Sequence, residues 1–153
     1  MTHLRKSRLD VPPVYLLLSL AAMALFHVAL PIARPIEEPY RYAGAVIMAL
    51  GIALILWAAL LFGRAGTGIV PFSEATALVV AGPYRFTRNP MYLGMAAILL
   101  GAGLLLGSLT PFIVIPAFMA LVAERFILPE ERMLEVVFGE AYLRYRASVR
   151  RWL

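Results

Sequence analysis

The chain contains no cysteine, which removes a disulfide framework, a thiolate zinc site and a cysteine nucleophile together. Histidine is nearly as scarce. His3 and His27 have no partner at ligand spacing, so a histidine-based metal centre is excluded and no metal is expected. Charge is the third shortage: 15% of the 153 residues are charged and 62% are hydrophobic, against about 25% and about 45–50% in an ordinary soluble domain. Mean hydropathy is +0.83. A surface facing water needs charges to cover it. A soluble enzyme, a disordered tail and a secreted disulfide scaffold are therefore excluded, and a single-domain integral membrane protein remains.

Three charge-poor runs carry the hydrophobicity. Val14–Ile32 is apolar apart from Ser19 and His27, Tyr42–Phe62 has no charge, and Met91–Ala123 is uncharged throughout. A helix needs ~20 residues to cross about 30 Å of hydrocarbon. The first two runs suit one span each. The third is too long for one and suits two, broken at Gly107-Ser-Leu-Thr-Pro111, where glycine and proline interrupt a helix. The expected fold is all-α and membrane-integral: four transmembrane helices at about 14–33, 41–63, 91–107 and 110–128, the last two a tight hairpin.

The net charge of +5 reads as topology. With four spans, one side carries Arg5, Lys6, Arg8, Arg64, Arg85, Arg88, Arg125, Arg132, Arg144, Arg146, Arg150 and Arg151; the other carries only Arg34 and Arg41, offset by Glu37 and Glu38. The positive-inside rule makes the crowded side cytoplasmic, with both termini and the middle loop on it. The expected location is a bacterial inner (plasma) membrane, with membrane lipids as neighbours and no nucleic acid as a partner. A cleaved signal peptide fits the first span poorly, because its apolar core exceeds about 7–15 residues and Pro31 lies where cleavage would fall.

Two segments lie outside the spans. The loop 64–90 is longer than the ~12–15 residues usual for a structureless connection, and such loops are commonly functional. The tail 129–153 opens with Pro129 and then Glu130 and Glu131, a helix-start pattern. In it Leu134, Phe138, Ala141, Tyr145 and Val149 recur at near-helical spacing. That predicts a cytosolic amphipathic helix, with Gly139 as a point where it can break. Loop and tail share a side, so they can meet. The loop ends in Gly82-Pro-Tyr-Arg-Phe-Thr-Arg-Asn-Pro-Met-Tyr-Leu-Gly94, which gathers two arginines, an asparagine and two tyrosines at the mouth of a span on a proline-stiffened backbone. With the glutamate pair, these would form a polar, mixed-charge pocket at the edge of an apolar bundle. Taken singly, each piece has a plainer reading: arginines as topology anchors, tyrosines as interfacial belt residues, glutamates as dipole complements.

Gly82-Pro-Tyr-Arg-x-x-Arg-Asn-Pro-x-Tyr-x-Gly94, then Glu130-Glu131, then Phe138-Gly-Glu-x-Tyr-x-x-Tyr145 and Val149-Arg-Arg, resembles the isoprenylcysteine carboxyl methyltransferase family. It also resembles the related phospholipid methyltransferases, which share the Asn-Pro-Met-Tyr segment and the glutamate pair. The resemblance covers roughly residues 63–153. It implies an integral membrane enzyme using S-adenosylmethionine from a cytosolic pocket, with a lipophilic substrate entering from the bilayer. The eukaryotic members typically carry histidine where this chain has Asn89; asparagine can position a group but cannot titrate near neutral pH.

On that resemblance, Gly82, Pro83, Tyr84, Arg85, Pro90, Tyr92, Gly94, Glu130, Glu131 and Tyr142 are the cofactor-binding candidates, and Arg88, Glu131 and Asn89 the catalytic ones. The glutamates can take an ammonium, ribose hydroxyls or the sulfonium charge; Arg85 or Arg88 can hold a carboxylate bidentately; the tyrosines can face adenine or sulfonium. Gly66-Thr-Gly68 looks like the glycine pair that phospholipid methyltransferases place ahead of this segment, and equally like an interfacial turn. A carboxylate substrate, the leading reading, needs only an arginine to orient it, with Arg88 first; an amine or thiol needs a proton acceptor, Glu131 or Glu124. The alternatives within the fold are phospholipid N-methylation and thiol S-methylation; outside it, a non-catalytic protein binding lipid or a partner subunit. His27 is expected to bond a neighbouring helix, and glycines 44, 51, 103 and 107 to mark close helix contacts.

Overall fold

The structure, a computed structural model, describes residues 10–30, 32–66 and 75–153. All regular structure among them is helical: α1 (Pro12–Ala29), α2 (Ala43–Ala65, led by a 3₁₀ turn at Tyr40–Tyr42), α3 (Pro90–Leu106), α4 (Val114–Val122), α5 (Leu128–Phe138) and α6 (Glu140–Ser148). Three helical runs are long and apolar enough to cross a membrane, Pro12–Ala29, Tyr40–Ala65 and Thr110–Phe138; Pro90–Leu106 is a shorter apolar helix of 17 residues. Arg5, Lys6, Arg8 and Pro31 of the topology argument lie outside the described residues.

The tightest contact is between α2 and α3, which run antiparallel and meet through glycine. Gly44 faces Gly101 and Gly51 faces Gly94; a Cβ on Gly51 would stand 2.6 Å from the Gly94 carbonyl oxygen, and one on Gly44 would strike that of Gly101. Both pairs recur every seven residues, the period of one helix face, so the two backbones close down along one seam. On the other side of α3, Met95 and Leu99 pack with Met23 of α1 and with Val114, Phe118, Val122 and Phe126 to form the buried core.

The turn between α3 and the next helix is Gly107–Leu109, with Gly107 left-handed at φ 76, a conformation only glycine adopts without strain. Gly107 is therefore a helix cap; of the four glycines expected at helix contacts, 44 and 51 are the ones that meet another helix backbone. His27 Nδ1 lies 2.7 Å from the Ser108 hydroxyl in this turn, and Arg41 donates to the Leu105 carbonyl at 2.9 and 2.5 Å, capping α3.

Pro129 does not begin a separate helix. The run Thr110–Phe138 is continuous, because α4 and α5 are joined by a π-turn at Ala123–Ile127. Proline ordinarily breaks a helix by clashing with the carbonyl four residues back. Here the turn before it is already widened, with Leu128 N–H reaching Ala123 O, so the ring is accommodated. The charge-free stretch of this helix ends at Ala123, and Glu130 and Glu131 stand about two turns beyond it, past the apolar segment. The break falls instead at Gly139, at φ 51 and ψ −125, and α6 follows it before Val149 turns extended.

Candidate functional site

Where α5 and α6 meet the segment before α3, the chain encloses a cavity of about 240 Å³. Pro12 and Pro13 at the start of α1, with Ile55, Ala59 and Phe62 of α2, give one wall. Ala75–Val79 covers a second side, and Pro90, Tyr92 and Met95 of α3 give the floor. The polar side chains of the lining are Tyr84, Arg88, Asn89, Tyr92, Glu130, Glu131, Tyr142 and Tyr145.

Most of those polar groups fasten one another. Glu131, 8% exposed, accepts from Arg151 at both carboxylate oxygens, 3.0 Å from Nε and 2.8 Å from Nη2, and from Arg88 Nη2 at 3.0 Å. Arg88 Nη1 also donates to the carbonyls of Arg146 (2.9 Å) and Val149 (2.8 Å), and its backbone N–H to Arg150 O at 2.9 Å. On either side of it, Thr87 Oγ1 and Asn89 Nδ2 both donate to Arg151 O at 3.0 Å. The Tyr145 hydroxyl donates to Tyr84 O at 2.7 Å. The tail is thereby laced to the loop, and Trp152 packs against the core.

Two groups stay unsatisfied. Arg88 Nε is the buried side-chain nitrogen with no hydrogen-bond partner among the described residues. Glu130, partly buried at the cavity wall, accepts no hydrogen bond and forms no ion pair among them.

The two adjacent carboxylates consequently behave in opposite ways. Burial pushes Glu130 up to about 7, and the neighbouring Glu131 charge adds to the effect. Burial acts on Glu131 in the same direction, but hydrogen bonds from Arg151 and Arg88, with their charges, outweigh it and hold that carboxyl below the usual range. Burial, then the charge of Glu131, raises Tyr142 to about 12; burial, then the charge of Glu130, raises Tyr84. The cavity at neutral pH thus holds neutral tyrosines, one ion cluster in which two guanidinium groups share the Glu131 carboxylate, and one titratable carboxylate.

Of the residues expected at the site, Tyr84, Arg88, Asn89, Pro90, Tyr92, Glu130, Glu131 and Tyr142 converge on the cavity. Gly82, Pro83, Arg85 and Gly94 do not line it. Gly82 lies against Leu61 and Trp57 of α2, Pro83 is buried in the same turn, Arg85 is exposed, and Gly94 is spent on the contact with Gly51 and Ile55. Glu124 is exposed away from the cavity, and its neighbour Arg125 pairs with Asp10 at 3.0 Å. Gly66 caps α2, while Thr67 and Gly68 lie outside the described residues. The expected list omitted Arg151 and Thr87 in the tail clasp and the apolar wall from α1 and α2. The signal for Arg151 is its place in the Val149-Arg-Arg element of the motif, which carries the resemblance but no assigned role.

The profile of the family described as phospholipid methyltransferase matches residues 39–141. An uncharacterized protein of Haemophilus influenzae is 40% identical over 63 residues, which cover 41% of this chain and 100% of that protein.

Proposed function

The chain belongs to the phospholipid methyltransferase family, and from that premise we propose that it is a membrane-embedded S-adenosylmethionine-dependent methyltransferase whose cofactor and lipophilic substrate meet in the cavity bounded by Glu130 and Arg88. The observation that carries the reading is Glu130: a carboxylate in the wall of a cavity, with no partner among the described residues, suits a cationic ligand. Members of the family use this cofactor, and the residues fit it. Glu130 meets an ammonium or sulfonium charge, the unpartnered Arg88 Nε–H meets a carboxylate oxygen, and Tyr84, Tyr92 and Tyr142 offer ring faces. S-adenosylmethionine, when bound, supplies an electrophilic methyl group on sulfur.

The chain's own contribution is placement. Methyl transfer disperses charge along one line, so alignment and exclusion of water govern the rate. Pro12, Pro13, Ile55, Ala59 and Phe62 exclude water and accept an alkyl chain. Asn89, bound to Arg151 O, positions the loop and moves no proton. In the leading reading the acceptor is a carboxylate, as the resemblance to the isoprenylcysteine carboxyl methyltransferases implies, and the single free Arg88 Nε–H then orients it in place of the cofactor's carboxylate. A second reading has its own support in the ionisation of Glu130 near pH 7: an amine or thiol acceptor, including a phospholipid amine, would lose its proton to Glu130.

The proposed topology is one domain of four spans in a bacterial inner membrane, with the short α3 as the third crossing and both termini cytoplasmic. It rests on the twelve-to-two division of basic residues. Incubating membranes that contain the protein with methyl-labelled cofactor tests the activity. Label should enter the lipid fraction; base-labile label identifies an ester and stable label an amine or thioether. No transfer to any lipid fraction would refute the enzyme reading.

A further inference from the structure

The tail after α6 makes no regular structure, yet its backbone carbonyls are held by the segment before α3. Carbonyls of Arg146 in the last turn of α6 and of Val149, Arg150 and Arg151 beyond it accept hydrogen bonds from Thr87, Arg88 or Asn89. Trp152, partly buried, packs against the core beyond them. The strap is therefore fixed at both ends, and between them Arg151 reaches back to grip both oxygens of Glu131.

We propose that Arg151 is a positioning residue for cofactor binding: carried on this strap, it engages Glu131 so that Glu130 alone presents a free carboxylate to the cavity. The inference rests on the reading of the cavity as a cofactor site. Two adjacent helix residues point about 100° apart, and only one of the pair is free. Without the Arg151 guanidinium, Glu131 keeps a single partner, Arg88 Nη2, and regains the freedom to turn toward the cavity and draw Arg88 with it. The two carboxylates would then compete for the same cation, and like charges at close range resist ionising together. Arg151 touches no cavity space itself; it does not line the wall. Its effect passes through Glu131.

The test is calorimetric titration of S-adenosylmethionine, with steady-state kinetics, on the detergent-purified full chain carrying Arg151→Ala, Arg151→Lys or Arg144→Ala. Arg144 is exposed on α6 and removes the same charge from the same tail. Losing a charge-assisted pair should weaken cofactor binding by about tenfold or more in Arg151→Ala. KM for the cofactor should rise with kcat nearly unchanged; Arg151→Lys should recover part of the affinity, and Arg144→Ala should match the parent. Parent-like affinity in Arg151→Ala, or an equal loss in Arg144→Ala, overturns the positioning role. A fall in kcat that tracks thermal stability, without a change in cofactor affinity, overturns it in favour of a purely structural strap. A parent protein that binds no cofactor would instead overturn the cofactor reading, and this inference with it.

Discussion

Replacing Glu130 by glutamine should improve the stability of the protein and weaken its affinity for the cofactor. The substitution keeps the shape of the side chain and removes only its charge. In the folded chain the carboxyl ionises near 7, raised by burial and then by Glu131. Exposed in the unfolded chain, it ionises near the ordinary value of 4.5. A raised folded value means that stability is full below about pH 4.5 and is lost as the pH climbs to about 7. The accumulated loss is about 3 kcal/mol. Glutamine escapes it, so Tm of Glu130→Gln should equal that of the parent near pH 4.5 and exceed it by about 5–10 °C above pH 7.5. Cofactor binding should move the other way. A charge-assisted hydrogen bond is worth about 1.5–3 kcal/mol net, so affinity should drop about 10- to 150-fold. The parent's affinity should also rise with pH through about 7, whereas the variant's should stay flat. Differential scanning fluorimetry and calorimetry at pH 5, 6, 7 and 8 read both arms. A variant that loses stability at pH 8, or binds cofactor as well as the parent, refutes the assignment of a free, functional carboxylate at this position.

Other expectations follow from the same geometry. Arg88→Ala removes a partner of Glu131 and two carbonyl contacts in one step. Breaking a buried pair costs about 3–5 kcal/mol, so it should lower Tm sharply as well as abolish methyl transfer, while Arg85→Ala, three residues earlier and exposed, should leave both unchanged within error. Gly51→Ala puts a Cβ 2.6 Å from the Gly94 carbonyl, where neither backbone can yield; an overpacking cost of about 1–3 kcal/mol should appear as a lower Tm in detergent, and unchanged melting would contradict the seam. Ser108→Ala deprives His27 of its partner and should destabilise by about 1 kcal/mol with no effect on cofactor affinity, which a titration of the purified variant would check.

The helical class and the site's general address were legible in composition and spacing, because long charge-free runs and a polar cluster at a span mouth leave few alternatives. What stayed hidden depended on register between elements. Gly94 sits inside the motif that approaches the cavity, and a glycine reads the same whether it admits a ligand or another helix; its partner Gly51 is 43 positions away. Arg85 and Arg88 stand three residues apart in one motif, yet Arg85 ends its turn exposed while the Arg88 side chain is mostly buried beyond it. Pro129 reads as a helix start because the π-turn that absorbs it has no sequence signature of its own. Of the adjacent glutamates the sequence reading favours Glu131 as the catalytic one, whereas the structure ties Glu131 to two arginines and leaves Glu130 facing the cavity. That division came from Arg151, whose carboxylate partner lies 20 residues earlier and is reached only once the tail doubles back.

The central claim is that this cavity binds S-adenosylmethionine through Glu130 and delivers its methyl group to a lipophilic acceptor. The most direct measurement is calorimetric titration of the cofactor into detergent-purified parent protein and Glu130→Gln, side by side at pH 8. The account predicts saturable one-site binding to the parent and at least tenfold weaker binding to the variant. Absence of heat in the parent, or equal affinities in the two proteins, would contradict it.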